Sequence, residues 1–153
     1  MKMYRLNPEV AGEIGENSKI VYEKGIIKGI TYLHYEFAGW LGDELLTQTP
    51  CFIVTEALAN SVLKSKLAGY KFEEMEVTTS DEFKEFYPNK VLPKFLRLLP
   101  LGKVIVNDDM VTEWSGEDFC LEDDIELVVS EDALKLIENH KIDNCDVEEL
   151  TLE

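Results

Sequence analysis

Cysteine, histidine and proline are sparse in this chain of 153 residues: three Cys, two His and five Pro. The cysteines, Cys51, Cys120 and Cys145, are odd in number and form no close pair, which excludes a disulfide framework. They read as small hydrophobes in a reducing cytoplasm. No C-x₂₋₄-C or H-x₃₋₅-H spacing occurs, so the usual zinc ligand sets are excluded. Glu122-Asp123-Asp124 lacks the alternating order of a calcium loop. There is no G-x-G-x-x-G and no Walker-type loop. No metal and no cofactor is therefore expected. Long apolar runs are absent as well. The richest stretch, 91–106, is interrupted by Pro93, Lys94, Arg97, Pro100, Gly102 and Lys103, far short of the ~18 residues a span needs. Residues 1–8 carry no apolar segment after their basic residues, so no signal peptide is read there. The expectation is a cytoplasmic protein with no membrane partner. Positive charge is the last deficit. Fifteen Lys and Arg face 31 Asp and Glu, a net charge of −16. Such a surface repels phosphate backbones, so nucleic acid is not an expected partner.

What is present is a core. The chain is 45% hydrophobic and 10% aromatic, enough for one domain over 1–153. Gly29 to Phe37, rich in β-branched and aromatic residues, predicts a strand. Cys51-Phe52-Ile53-Val54 predicts a short buried strand, followed by Thr55 as an N-cap and Glu56 in the first turn of a helix. Leu58, Ala59, Val62, Leu63 and Leu67 then recur at helical spacing, Gly69 offers a stop, and 71–77 predicts a strand. Seventy-five residues on, the pattern returns: Leu127-Val128-Val129, Ser130-Glu131, Ile137, Ile142, Asn144 at the Gly69 position, and Val147 to Leu152. Both copies, 51–77 and 126–152, read strand, hydroxyl cap, acid, helix, stop, strand. Between them, Val91, Leu92, Phe95, Leu96 and Leu99 predict an apolar helix with Pro93 in its first turn. Residues 103–106 and 110–114 predict a hairpin around Asn107-Asp108-Asp109. The fold class expected is α+β: a mixed sheet with helices and two related βαβ-like units.

Charge is distributed unevenly. Residues 1–103 hold 14 acids and 13 bases, a net of −1, whereas 104–153 hold 17 acids and two bases, a net of −15. The acids are densest where aromatics are interleaved: Asp108, Asp109, Glu113, Trp114, Glu117, Asp118, Phe119, Glu122, Asp123 and Asp124. A solvated loop that aids solubility is one reading. The other is a docking face for a basic protein partner, anchored by an aromatic residue.

Catalytic chemistry is thinly represented. His34 lies among aromatics in a predicted strand and pairs in principle with a carboxylate as a general base. His140 lies near a helix end, where the dipole favours a cation. No G-x-S-x-G accompanies either, so no catalytic residue is assigned. A small hydrolase or transferase built on His34, and a homo-oligomeric interaction module, stand as alternatives to a partner-binding role.

The repeated element carries a resemblance. Phe52-Ile53-Val54-Thr55-Glu56 and Leu127-Val128-Val129-Ser130-Glu131, each leading into a helix, resemble the "LVVSE" element of a group of bacterial polymorphic-toxin immunity proteins. Asp118-Phe119 ahead of the second copy and the ending Asn144-Cys145-Asp146-Val147-Glu148 are similar too. The resemblance covers roughly residues 50–150. It implies a non-enzymatic cytoplasmic inhibitor that binds a cognate toxin domain, and it carries over no individual functional residue.

Overall fold

The structure, a computed structural model, describes all residues 1–153. It is mostly β: strands hold 50% of the residues and three short helices 14%. In chain order the elements are β1 (Lys2–Asn7), β2 (Gly12–Ile14), β3 (Lys19–Glu23), β4 (Ile26–Tyr32), β5 (His34–Phe37), β6 (Leu45–Gln48), β7 (Cys51–Thr55) and α1 (Glu56–Leu63). Next come β8 (Tyr70–Glu73), β9 (Glu76–Thr79), α2 (Asp81–Phe86) and β10 (Phe95–Pro100). The C-terminal third holds β11 (Gly102–Asn107), β12 (Met110–Trp114), β13 (Phe119–Glu122), β14 (Glu126–Ser130), α3 (Glu131–Ile137) and β15 (Asp146–Leu152).

The strands form two related cycles, of six strands in the C-terminal unit and seven in the N-terminal one. The C-terminal one is a closed barrel in the order β1-β14-β13-β11-β12-β15. The N-terminal one follows the same order but is split into two sheets, β8-β10-β7-β6 and β2-β5-β9, with β8 and β9 together in the place of β15. Where β11 runs parallel to β13 in the barrel, the N-terminal unit has only an isolated parallel bridge between Glu9 and Leu46. In both units the strands before and after the helix are antiparallel to one shared middle strand, β10 or β1, and so parallel to each other. The expected strand–helix–strand units are therefore present, but each has a third strand wedged between its own two.

That third strand comes from elsewhere in the chain. Met3 lies opposite Ser130 as Phe95 lies opposite Thr55, and Arg5 opposite Val128 as Arg97 opposite Ile53. Lys2-Met3-Tyr4-Arg5-Leu6 is thus the counterpart of Lys94-Phe95-Leu96-Arg97-Leu98. The chain's first strand completes the C-terminal barrel, and β10, which opens the second repeat, completes the N-terminal unit. The repeats have exchanged their first strands.

Buried residues sort by parity. Ile53, Phe95, Tyr35 and Phe37 fill the N-terminal unit, and Val128, Met3, Val104, Val111, Cys120 and Leu150 fill the barrel. Their alternates, Phe52, Val54 and Leu98 with Leu6, Leu127 and Val129, point outward into one core shared by both units and roofed by α1 and α3. Burial on both faces is why β7 and β14 are continuous apolar runs. Thr55 and Ser130 are the N-caps expected, their hydroxyls accepting from the N–H of Leu58 and Ala133 at 3.2 Å.

Several local readings are corrected. Of the predicted helix at 91–99, residues 95–99 belong to strand β10 and 91–94 form no regular element, because a short apolar run fits a buried strand equally well. α1 ends at Leu63, so Leu67 and Gly69 lie beyond it; Gly69 takes a positive φ of 89° in the following loop, and Asn144 takes none. The strand read over 29–37 is broken at Leu33 and that over 71–77 at Glu74-Met75. β3–β4 is a hairpin arm with no counterpart in the second repeat.

Candidate functional site

The densest acids occupy two hairpin tips. Asp108-Asp109 joins β11 to β12 and Asp123-Asp124-Ile125 joins β13 to β14; all four Asp have positive φ, 50° to 61°, the pattern of a type I′ turn. That turn matches the twist of a tight hairpin, and Asp is among the few residues other than Gly that tolerate it. All four side chains are exposed. Because β11 and β13 run parallel, both tips project from one end of the barrel. Beside them lies an open groove of about 670 Å³, lined by Glu113, Trp114, Asp123 and Asp124 with Val104, Ile105 and Leu121 as its apolar floor. Lys103 is the one cation on its wall. The groove combines an aromatic wall, an apolar floor and three carboxylates, which suits a basic protein surface.

Four other residues of the predicted face do different work. Phe119 is 1% exposed and packs edge-on against Tyr70 in the shared core. Asp118 accepts the Ser130 hydroxyl at 2.7 Å and the Ala68 N–H at 2.8 Å, and its own N–H donates to the Ala68 carbonyl. Glu117 accepts the Trp114 indole N–H on its carbonyl at 2.8 Å and packs on Gly69. Glu122 pairs with Arg5 at 2.7 Å. Phe119 is therefore buried away from any surface, and the carboxylates of Asp118 and Glu122 are already paired, whereas Glu117 stays half-exposed with its carboxylate on the Ser115 hydroxyl; an acid adjacent to a strand is indistinguishable in sequence from an acid on a free surface.

Asp118 has a counterpart in the other unit. Glu44 accepts the Thr55 hydroxyl at 2.7 Å and the Lys141 N–H at 3.1 Å, and its own N–H donates to the Lys141 carbonyl. Asp43 accepts the Asn144 N–H and side-chain amide at 2.8 and 3.0 Å. Trp40 donates its indole N–H to the Asp43 carbonyl at 2.8 Å, as Trp114 does to Glu117. Trp40-Leu41-Gly42-Asp43-Glu44 and Trp114-Ser115-Gly116-Glu117-Asp118 are thus one motif used twice, with Gly42 and Gly116 both at positive φ. Each copy holds the cap hydroxyl of its own helix and grips a loop of the opposite unit. The motif W-x-G-acid-acid was legible in the sequence, 74 residues apart, but a search in the 75-residue register of the strands passes over it.

Glu44 also organises a polar array. His140 Nδ1 lies 3.1 Å from Glu44 Oε1 and Nε2 lies 2.8 Å from the Ser61 hydroxyl. Burial would push the Glu44 carboxyl up, but donors from Thr55, Lys141 and His140 outweigh it and hold it below the usual carboxylate range. The order acid–imidazole–hydroxyl is that of a nucleophilic triad, yet Ser61 sits inside α1 and none of the five principal cavities is lined by any of the three. The array joins α1 of one unit to the loop after α3 of the other. His34 is buried, at 3% exposure. Its Nε2 is 2.6 Å from the Thr78 hydroxyl, its Nδ1 accepts the Asn17 N–H at 3.2 Å, and Gly15 packs on the ring. These contacts fix a strand side chain rather than open a cleft. No group of His, Cys, Asp or Glu side chains is arranged to hold a metal ion, and no helix is long and apolar enough to cross a membrane.

Compared with known proteins, the chain matches no family model, no curated protein and no solved structure.

Proposed function

We propose that this protein is a non-enzymatic, cytoplasmic inhibitor of the immunity type, which binds a cognate basic toxin domain with the acidic end of its C-terminal barrel. The observation that carries the reading is the groove in which Glu113, Trp114, Asp123 and Asp124 meet, with Asp108 and Asp109 on the neighbouring tip. The five acids among them are exposed side chains, whereas the Trp114 indole is half-buried at the groove wall and also donates to the Glu117 carbonyl. Exposed one-signed charge steers an oppositely charged partner, raising association from ~10⁵–10⁶ to as much as ~10⁸–10⁹ M⁻¹s⁻¹ at low salt. A half-buried indole at the groove wall acts instead on dissociation. The "LVVSE" resemblance agrees with this role, and no nucleic acid, membrane or cofactor enters it.

The test is co-expression with the toxin domain encoded beside the gene, followed by stopped-flow binding at several ionic strengths. Changing Asp108, Asp109, Asp123 and Asp124 to Asn should slow association and flatten its salt dependence, and Trp114→Ala should speed dissociation. An association rate indifferent to both the substitutions and the salt refutes the assignment of this face. A second reading, an acyl-transferring hydrolase, is favoured only by the Ser61–His140–Glu44 order. Labelling of Ser61 by a fluorophosphonate would establish it in place of the first.

A further inference from the structure

The duplication places an arginine at the same register in both units, and the two are not equally satisfied. Arg5 has a full set of counter-charges: Nε donates to Glu122 at 2.8 Å, Nη2 meets the same carboxylate at 2.7 Å, and Nη1 meets Glu148 at 2.7 Å. These are charge-assisted hydrogen bonds, with Nε and Nη2 converging on one Glu122 oxygen. Arg97 keeps only the equivalent of Glu148, which is Glu73, and that carboxylate stands 3.8 Å away. Its Nη1 donates to the Ile30 carbonyl of the hairpin arm, and its Nε has no partner. The Arg97 side chain is only 9% exposed. A guanidinium offers five N–H donors and cannot shed its charge, and a buried charge without its counter-charge is costly.

The missing carboxylates can be named. Glu122 and Glu126 lie opposite each other in β13 and β14; the residues at those positions in β6 and β7 are Gln48 and Cys51. Gln48 turns away, its side-chain amide donating to the Gly12 carbonyl at 3.0 Å. A cavity of about 340 Å³ opens beside Arg97, and two further cations, Lys28 of the arm and Lys103 of β11, line it against a single acid, Asp124. Phe52, Leu98 and Pro100 supply apolar wall. Volume and lining are those of a small-ligand site.

We propose that this cavity binds a small organic anion, a carboxylate or phosphate head on an apolar body, whose head pairs with Arg97 where Glu122 pairs with Arg5. The site lies at the seam of the two units, roofed by the arm that only the first repeat possesses. It adjoins the acidic groove, with which it shares Lys103, Leu121 and Asp124, but it has three cations against one acid where the groove has three acids against one cation.

The test is an NMR titration of the full chain, following the Arg97 Nε–H resonance with sodium benzoate, with inorganic phosphate, and with neutral benzamide. Saturable movement with benzoate or with phosphate, and none with benzamide, is expected; which anion acts identifies the head group. Lys28→Gln and Lys103→Gln, both at exposed positions, should each weaken binding about fivefold, as loss of a nearby charge does at the surface of a protein. Gln48→Glu restores from within the carboxylate that Glu122 supplies to Arg5, and should abolish binding while raising the melting temperature. Equal response to benzamide, no response to either anion, or affinity unchanged in both lysine variants and in Gln48→Glu would overturn the proposal.

Discussion

The two repeats share a strand order and differ in what they add to it. The first carries a hairpin arm, β3–β4, on a cycle opened into two sheets; the second is a closed barrel with tight Asp-Asp turns and nearly all of the excess negative charge. What they keep in common is structural: the hydroxyl cap, the Trp-x-Gly-acid-acid motif and the arginine of the exchanged strand. What differs lies at the hairpin tips and the barrel mouths. Residues that hold a repeat together are needed in both copies, and Trp114 belongs to that shared set as well as to the groove wall.

The exchange of first strands gives the largest effect by which this comparison can be broken. Leu6 and Leu98 hold equivalent positions and both face the shared core. Replacing either by Ala should cost about 2–5 kcal/mol, measured by urea unfolding with one cooperative transition for both. If the units were independent, the two variants would instead split the transition and each would report on a different half. A larger change follows the same logic: removing residues 1–8 strips the barrel of the strand between β14 and β15 and should abolish its folding, seen as loss of dispersed amide signals from residues 102–152.

Next in size come the caps. Thr55→Ala and Ser130→Ala should each cost about 0.5–2 kcal/mol, because each hydroxyl satisfies a helix N–H and also binds the acid that grips the other unit. Neither change should alter association with a basic partner. Equal losses at the two caps would show that the clamps are equivalent. A much smaller loss at Ser130 would show that the closed barrel holds its helix without the clamp.

The smallest effect is one of pH. The Glu44 carboxyl titrates below its unfolded value, so it contributes stability that is present above the unfolded range, near ~4.3, and is lost as pH falls through the lower folded value. Thermal unfolding between pH 6 and pH 3 should show this loss, and Glu44→Gln should lower stability at pH 6 while removing that part of the slope. A variant whose acid slope matches that of the unmodified chain would show that Glu44 does not set it. Ser61→Ala sharpens the same point. If the Ser61–His140–Glu44 array only joins the units, this change should lower stability slightly and abolish no activity.

Sequence reasoning reached the repeated strand–cap–helix–strand element because caps and apolar periods are local. It read Thr55 and Ser130 correctly, as it did the hairpin at 103–114. It missed β10 because Val91 to Leu99 satisfies a helical period as well as a buried strand, and it missed β6 and β1 because four to six residues of mixed polarity carry no period of their own. It named ten residues for the partner face. Asp108, Asp109, Glu113, Trp114, Asp123 and Asp124 lie at that end of the barrel, whereas Asp118, Phe119 and Glu122 are held by distant chain partners and Glu117 bonds its neighbours Trp114 and Ser115.

Composition and local pattern by themselves determined that this chain has a core, a duplicated element, capped helices and an acidic C-terminal third, since each of these depends on residues within a few positions of one another. The tertiary structure alone decided that β1 completes the far barrel, that Asp43-Glu44 and Glu117-Asp118 are clamps, and that Arg97 is left short of the carboxylates that Arg5 has. The physical reason is distance along the chain. Arg5 meets Glu148 across 143 residues, and no local period encodes a contact whose partners are brought together only by the closure of a barrel.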